Sequence, residues 1–161
     1  MSNIPSRIML DANAHNLLKQ NESLLRRIAE IDTKLHLSAY QANEIRDGLD
    51  ECSEELRSQI EQQIELVKDL ADPIVTGVNT SGHGELYGYN YGGSTGKIYK
   101  ELIAPDPNIR NVDRPDAIGA EAAIIRDMVF VTDDRGLQEK MIQEGYEEYL
   151  LTLDEFENAL R

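Results

Sequence analysis

Cysteine, histidine and long apolar runs are scarce in this sequence, and each absence excludes a class of protein. Cys52 is the only cysteine, so neither an intrachain disulfide nor a cysteine-based zinc site can form. The three histidines, His15, His36 and His83, lack the spacing of paired metal ligands, so we expect them to be structural or exposed. No apolar run approaches the ~18 to 20 residues of a membrane-spanning helix. The N-terminal MSNIPSRIML lacks the pattern of a signal peptide. We therefore expect a cytoplasmic protein that does not enter a membrane.

Basic residues are also few relative to acidic ones. The chain has 16 lysines and arginines against 30 aspartates and glutamates, which gives a formal net charge of −14. Such a charge repels phosphate polymers at long range and argues against a general nucleic-acid scaffold. It does not exclude an enzyme that acts on nucleic acid, because bound divalent metals reverse the sign of an acidic pocket locally. A basic protein partner is the other interpretation, and much of the acidity is expected on solvated faces.

Strand-like and helix-like segments alternate along the chain. Short apolar runs predict strands at 7–10, 34–38, 128–132 and 149–153. Apolar residues at helical spacing predict helices at 13–31, from 40 onward, at 49–70, 117–125 and 137–144, and a short last helix to residue 161. This alternation predicts one α/β domain over residues 1–161, with a parallel sheet covered by helices on both faces in three α/β/α layers. The long helix at 49–70 either packs on its own sheet or pairs with another helix, which leaves a homodimer open.

A Gly/Tyr-rich segment, residues 73–108, interrupts this pattern and is predicted to be an insertion without helical periodicity. Tyr87, Tyr89 and Tyr91 alternate with smaller residues, so in an extended strand their rings would share one side. Such a row fits stacking on unpaired RNA bases, with Lys97 and Lys100 meeting phosphates. The alternative is a mobile loop or a hairpin that packs its tyrosines on the domain. The stretch GGSTGKIY is not a phosphate-binding P-loop, because it lacks the first glycine and the Ser or Thr after lysine.

Acidic residues follow two of the predicted strands directly. Asp11 and Asp134 stand where the chain leaves a strand for a helix, and such carboxyl ends meet at one edge of a parallel sheet. Clustered carboxylates raise one another's pKa unless a cation compensates, so converging acids without Lys or His imply a hard divalent metal, Mg²⁺ or Mn²⁺. Simpler interpretations stay open for each acid. Asp11 and Asp116 fit helix N-caps or first-turn acids, Asp133 and Asp134 fit a turn, and Glu44 fits a solvated surface.

Four segments along the chain each combine an acidic residue with a predicted strand or helix in a defined pattern. The first is a strand ending in Asp-x-Asn, here IMLDAN at 8–13. The second is a short strand, a serine and a helix with glutamate six residues later, here LSAYQANEI at 37–45. The third is an aspartate opening an alanine-rich helix, here DAIGAEA at 116–122, and the fourth is a strand ending in Thr-x-Asp, here VFVTDD at 129–134. In this order the four segments resemble the PIN-domain family of metal-dependent ribonucleases. The resemblance covers about residues 1–56 and 113–161 and leaves the Gly/Tyr-rich insertion unexplained.

The resemblance implies a PIN-like domain that acts as a Mg²⁺- or Mn²⁺-dependent endoribonuclease on RNA. It implies that catalysis and metal binding fall to Asp11, Glu44, Asp116 and Asp134, with Asp133 as a substitute or addition. Asn13, Ser38 and Thr132 would orient ligands or water by hydrogen bonds. Because the family includes many toxins of bacterial toxin–antitoxin pairs, the resemblance also implies an antitoxin as one form of partner.

Two other functions compete with this expectation. One is a non-catalytic PIN-like module that binds nucleic acid or protein, in which the acids persist but no productive metal site assembles. The other is a phosphotransfer domain with an acidic pocket, and it is disfavoured because Asn13 stands where a phosphatase needs a second aspartate and no strand-end lysine accompanies the pocket.

Overall fold

The fold is built on a parallel β-sheet. The computed structural model describes residues 4–37, 52–66 and 97–161. Five strands pair side by side in the order β3-β2-β1-β4-β5, and every pairing is parallel. The strands are β1 (Arg7–Leu10), β2 (Lys34–Leu37), β3 (Ile64–Leu66), β4 (Val129–Thr132) and β5 (Leu150–Thr152). The predicted α/β class and parallel sheet are confirmed.

Helices connect these strands and carry most of the apolar side chains that face the sheet. Within the described residues they are α1 (Ala12–Lys19), α2 (Glu22–Glu30), α3 (Glu54–Gln63), α4 (Lys97–Ile103), α5 (Arg114–Ile125), α6 (Arg135–Gln143) and α7 (Leu153–Leu160). A short 3₁₀ turn, Glu147–Tyr149, leads into β5. None of the helices in these three ranges has the length and apolar composition needed to span a membrane.

Two hydrophobic clusters lie on opposite faces of the sheet. Successive side chains of a strand point to opposite faces, and β1 divides accordingly. Ile8 and Leu10 belong to one cluster with residues of α1, α2, α3 and α7, whereas Met9 belongs to a second cluster with residues of α4, α5 and α6. All three side chains are fully buried. This explains why β1 reads as an uninterrupted apolar run, as expected for the central strand of a parallel sheet.

The predicted helix at 13–31 is two helices. Helix α1 ends at Lys19 with Gln20 as its C-cap, and Asn21 caps α2, because its side-chain oxygen accepts a hydrogen bond from the Leu24 N–H at 3.3 Å. Leu18 lies on α1, Leu24 and Ile28 lie on α2, and all three are buried in the same cluster. The apolar spacing therefore continues across the break, and periodicity alone could not reveal it.

The predicted long helix at 49–70 is wrong at residues 64–66. Helix α3 ends at Gln63, and Ile64–Leu66 form β3 beside β2, with Ile64 in register with Leu35. The apolar residues at 60 and 64 fit a helix locally, but pairing with β2 satisfies the backbone of β3 at the edge of the sheet. Residues 49–51 and 67–70 lie outside the described ranges. The homodimer suggested by this segment stays a prediction.

Part of the Gly/Tyr-rich insertion is helical, contrary to expectation. Helix α4 buries Tyr99 and Leu102 against the cluster that contains α5. The buried carboxylate of Glu121, on α5, accepts a hydrogen bond from the Tyr99 N–H at 2.7 Å. This bond satisfies one of the backbone groups that the start of a helix leaves without a partner. The prediction of no helical structure is therefore wrong for residues 97–103. Residues 73–96, including Tyr87, Tyr89 and Tyr91, lie outside the described ranges.

Helix α5 packs closely on β4 because it carries glycine at the contact. A Cβ atom added at Gly119 would lie 2.8 Å from Cε1 of Phe130, whose side chain is fully buried. Gly→Ala in a helix interior ordinarily stabilises by about 0.5–1 kcal/mol. Here we expect Gly119→Ala to destabilise by about 1–3 kcal/mol, because the ring of Phe130 has to move. Urea unfolding measures this change. In a chain that already carries Phe130→Leu, the loss of stability caused by Gly119→Ala should be smaller. A stabilising Gly119→Ala would contradict the close contact.

Candidate acidic site at the sheet switch point

The two strands at the centre of the sheet place the candidate site. Strands β1 and β4 are neighbours, whereas the chain continues from β1 to β2 on the opposite side. A crevice outside the carboxyl ends of such strands is the usual location of ligand sites in open α/β sheets. Asp11 directly follows β1, and Asp133 and Asp134 directly follow β4. The backbone N–H of Asp11 donates to the Val131 carbonyl at 3.0 Å, which holds the two strand ends together.

Asp11 is fully buried and caps helix α1. One carboxylate oxygen accepts from the Ala14 N–H at 2.8 Å, and the other accepts from the Asp133 N–H at 3.2 Å. Burial raises the pKa of Asp11, and the negative charge of Asp133 adds to this; hydrogen bonds from Thr132, Ala14 and Asp133 act in the opposite direction. The N-cap interpretation of Asp11 is thus correct, and it coexists with a position inside the acidic cluster.

Asp116 lies in the first turn of α5 and is the most perturbed acid of the site. Its side chain is 8% exposed. Burial, followed by the charges of Asp11, Asp113 and Asp134, raises its pKa from 3.8 to about 8. Asp113, and not Asp116, caps α5, because its side chain accepts from the Asp116 N–H at 3.3 Å. Asp116 thus lies close to three other acids, and no lysine, arginine or histidine of the described ranges forms an ion pair with it.

Asp133 and Asp134 differ in their surroundings. Asp134 caps α6, since one oxygen accepts from the Leu137 N–H at 2.9 Å and the other from the Asp113 N–H at 3.2 Å. The side chain of Asp133 is exposed, and among the described residues it has no hydrogen bond or ion pair. Asp134 is therefore the better positioned of the two, and Asp133 has the freer carboxylate.

Thr132 links these acids from a fully buried position at the end of β4. Its hydroxyl oxygen accepts from the Asp134 N–H at 3.1 Å. The same hydroxyl hydrogen-bonds to the side chain of Asp11, which lowers the pKa of that carboxyl. Thr132 thus contacts both the carboxylate that follows β1 and the backbone that follows β4. Its predicted supporting role in a metal site stays a prediction.

The other predicted residues are placed as follows. Asn13 lies in the first turn of α1 with an exposed side chain. Lys97 and Lys100 are exposed on α4, where Lys97 approaches Glu101 at 4.0 Å, and neither lysine pairs with a carboxylate of the site among the described residues. Glu44 and Ser38 lie outside the described ranges, so their predicted roles stay predictions. Asp11, Asp116 and Asp134 are the predicted acids that the structure brings together.

Sequence reasoning missed Asp113. The signal was present, because an Asp two residues before a proline at the start of a helix is a typical N-cap. The predicted helix began at residue 117, whereas α5 begins at Arg114 with Asp113 as its cap. Asp113 adds a fifth carboxylate, beside those of Asp11, Asp116, Asp133 and Asp134.

The donor set of the site has the chemistry that Mg²⁺ and Mn²⁺ require. It is all carboxylate, and no lysine, arginine or histidine among the described residues forms an ion pair with Asp11 or Asp116. Such hard oxygen ligands suit both metals. As arranged, however, no three His, Cys, Asp or Glu side chains within residues 4–37, 52–66 and 97–161 stand close enough to hold a metal ion together. Metal binding here needs side-chain rotation or a further ligand such as Glu44.

Comparison with models of known protein families and with curated protein sequences finds no match to this chain.

Proposed function

We propose that this chain is a PIN-like, Mg²⁺- or Mn²⁺-dependent endoribonuclease that hydrolyses phosphodiester bonds at the carboxyl edge of β1 and β4. One observation carries the proposal. Asp11, Asp116 and Asp134 converge at the switch point of a parallel sheet, and burial with mutual repulsion raises the pKa of Asp116 to about 8. Strongly perturbed acids in such a crevice are typical of functional sites, and a divalent cation removes their repulsion.

The placement of the motifs supports the PIN-like interpretation. Asp11 follows β1, Asp116 lies in the first turn of the alanine-rich helix α5, and Asp134 follows β4. The alanines of α5 have a packing role, because Ala117, Ala120 and Ala123 are buried in the cluster on one face of the sheet. Three of the four motifs thus fall on the elements that the resemblance implies, and the glutamate of the remaining motif lies outside the described ranges.

In this proposal Asp11, Asp116 and Asp134 hold the metal, with Glu44 as the predicted fourth ligand and Thr132 as a positioning residue. A bound divalent metal would activate water and stabilise the negative charge that develops on the phosphoryl oxygens. The protein residues hold that centre at the open edge of the sheet, where an RNA backbone can approach. The acidic walls need the cation before a phosphate can enter, because the metal-free cluster repels it.

Cleavage of RNA by purified protein tests the proposal. We expect cleavage with Mg²⁺ or Mn²⁺ and none in EDTA, and we expect Asp11→Asn and Asp116→Asn to lower the rate at least about 100-fold because each removes a ligand of the reacting centre. Asp32→Asn is the matched control, because it removes the same charge at an exposed residue between α2 and β2. Equal rates for all three variants and wild type would reveal a contaminating nuclease and contradict the site.

A second candidate function is a non-catalytic PIN-like binding module. The observation in its favour is that both oxygens of Asp134 already accept backbone hydrogen bonds, and that within the described ranges no three side chains are set to hold a metal. Calorimetric titration with Mn²⁺ separates the two functions. The nuclease proposal requires tighter binding to wild type than to Asp11→Asn, and identical isotherms would leave only the binding module.

A further inference from the structure

A cleft opens beside the acidic cluster, on the side of the α6 N-terminus. Its volume is about 450 Å³, within the usual range of ligand sites, ~300–1,000 Å³. Two arginines and two of the site's aspartates line it. The lining residues are Arg110, Asn111, Asp133, Asp134, Arg135 and Gly136.

The loop that carries Arg110 is held along helix α6. At one end Asp106 accepts from the Gln143 side chain at 3.1 Å, and at the other the Asp113 N–H donates to Asp134 at 3.2 Å. Between these points the backbone lies directly on Gly136, where an added Cβ would stand 2.6 Å from the Arg110 carbonyl oxygen. Only glycine allows this approach without displacement of the loop. The backbone at Arg110 is therefore held beside the cleft by packing and hydrogen bonds.

Within residues 4–37, 52–66 and 97–161, the guanidinium groups of Arg110 and Arg135 form no ion pairs. Both side chains are exposed, and neither approaches a carboxylate within 4.0 Å among the described residues. Most cations with described ion pairs meet an acid on their own helix, as Arg26 meets Glu22 and Arg57 meets Glu61. The chain has a net charge of −14, yet within the part that the structure describes these two arginines stand beside Asp133 and Asp134 without forming an ion pair. Their planar forks suit bidentate contact with phosphate oxygens.

We propose that this cleft binds a phosphodiester group of single-stranded RNA next to the bond that is cut, with Arg110 and Arg135 as its two clamps. The inference rests on the proposed nuclease function and adds a substrate-binding site to it. A strand held there passes from the arginines directly to Asp134 and the acidic cluster, because Asp133 and Asp134 line both. The arginines offset the repulsion of the acidic walls for the phosphate that the metal does not contact.

Binding of a short fluorescein-labelled oligouridylate with phosphorothioate linkages, measured by anisotropy in Ca²⁺, tests the inference. We expect Arg110→Gln and Arg135→Gln each to weaken binding about 3- to 10-fold and to reduce the slope of log Kd against log salt by about 0.7, since one phosphate contact is lost. Gly136→Ala should weaken binding similarly, because it displaces the Arg110 loop. Arg27→Gln is the control, since Arg27 is exposed on α2 and pairs with Glu30.

The outcomes separate this inference from the nuclease proposal. In cleavage assays the arginine variants should raise KM, with kcat within about twofold, because uniform binding is lost. Affinities and salt slopes equal to those of Arg27→Gln would overturn the clamp even if RNA is cut. Polyglutamate that competes as well as unlabelled oligouridylate would also overturn it, in favour of an acidic protein ligand. Arginine-dependent binding without any cleavage would keep the clamp and reject the nuclease.

Discussion

Asp116→Asn is expected to stabilise the metal-free protein increasingly as the pH rises from about 5 to about 8. The folded-state pKa of Asp116 is raised from 3.8 to about 8, first by burial and then by Asp11, Asp113 and Asp134. Between these values the folded protein retains a proton that the unfolded chain has released. The free energy of unfolding from this group is therefore largest below pH 3.8 and is lost as the pH rises through the folded pKa. Asparagine carries no charge and avoids this loss.

We expect the variant to gain about 1–3 kcal/mol over wild type at about pH 8, or a rise of about 2–10 °C in Tm. Thermal and urea unfolding in EDTA at a series of pH values measure the gain. Asp32→Asn corrects for the removal of one negative charge from an acidic chain. Asp32 is exposed and precedes β2, so it lies at the amino end of that strand, opposite the carboxyl edge of the sheet. A gain that is independent of pH, or that Asp32→Asn reproduces, would contradict the buried carboxyl cluster.

Addition of Mg²⁺ provides a second measurement on wild type and Asp116→Asn. If a cation occupies the cluster, it replaces the proton on Asp116, so wild type should gain stability at about pH 8 with increasing Mg²⁺. Asp116→Asn should gain less, because one ligand is gone. Without metal, Asp116→Asn would then be more stable than wild type, although it is the less active protein. Such a trade-off between stability and activity is common at functional sites.

The parts of the fold that local chemistry determines were predictable. Strand β1 ends at Leu10 as expected, because an apolar run that fills both faces of the sheet stops at an aspartate whose side chain caps the next helix. Strand β4 ends at Thr132 for the same reason, with Asp134 as the cap. Here the strand, the cap and the candidate site are encoded by adjacent residues, so one short segment indicates all three.

The parts that depend on distant partners were not predictable. Nothing near Ile64 distinguishes a continuing helix from a strand, and β3 exists because its backbone pairs with β2. Helix α4 also depends on distant partners. Tyr99 is buried against α5, and its N–H donates to Glu121, a residue 22 positions away. Hydrophobic periodicity reports local spacing and carries no information about such contacts.

The candidate site also contains residues that were predictable and residues that were not. Asp11 and Asp134 follow strands and could be nominated from position alone, whereas Asp116 required the family resemblance. Asp113 and Arg110 join the site only because the loop before α5 lies on α6, which depends on the absence of a side chain at Gly136. Tertiary contacts determine which charged groups surround each carboxyl of a site built from loops and helix starts. The pKa values of these carboxyls therefore cannot be inferred from residue spacing.

Thr132→Val is expected to weaken Mn²⁺ binding about 10- to 100-fold, because residues that orient metal ligands affect affinity on this scale. Valine has nearly the shape of threonine but no hydroxyl. The Asp134 N–H would lose its acceptor, and the carboxyl of Asp11 would lose the hydrogen bond that lowers its pKa. Since Thr132 is fully buried, water cannot readily replace either bond, and a loss of about 1–3 kcal/mol in stability should accompany the change.

Thr132→Ser separates positioning from packing. Serine keeps the hydroxyl and loses one methyl group, so it should cost about 1 kcal/mol in stability while leaving Mn²⁺ affinity nearly unchanged. The pH dependence of binding adds a readout that a purely structural role would not move. Because the pKa of Asp11 rises further without the hydroxyl, its proton competes with the metal to higher pH, and the midpoint of Mn²⁺ binding should shift upward in Thr132→Val alone. Calorimetric titrations across the pH range measure both effects, and equal affinities and midpoints for the valine and serine variants would show that the hydroxyl does not position the ligands.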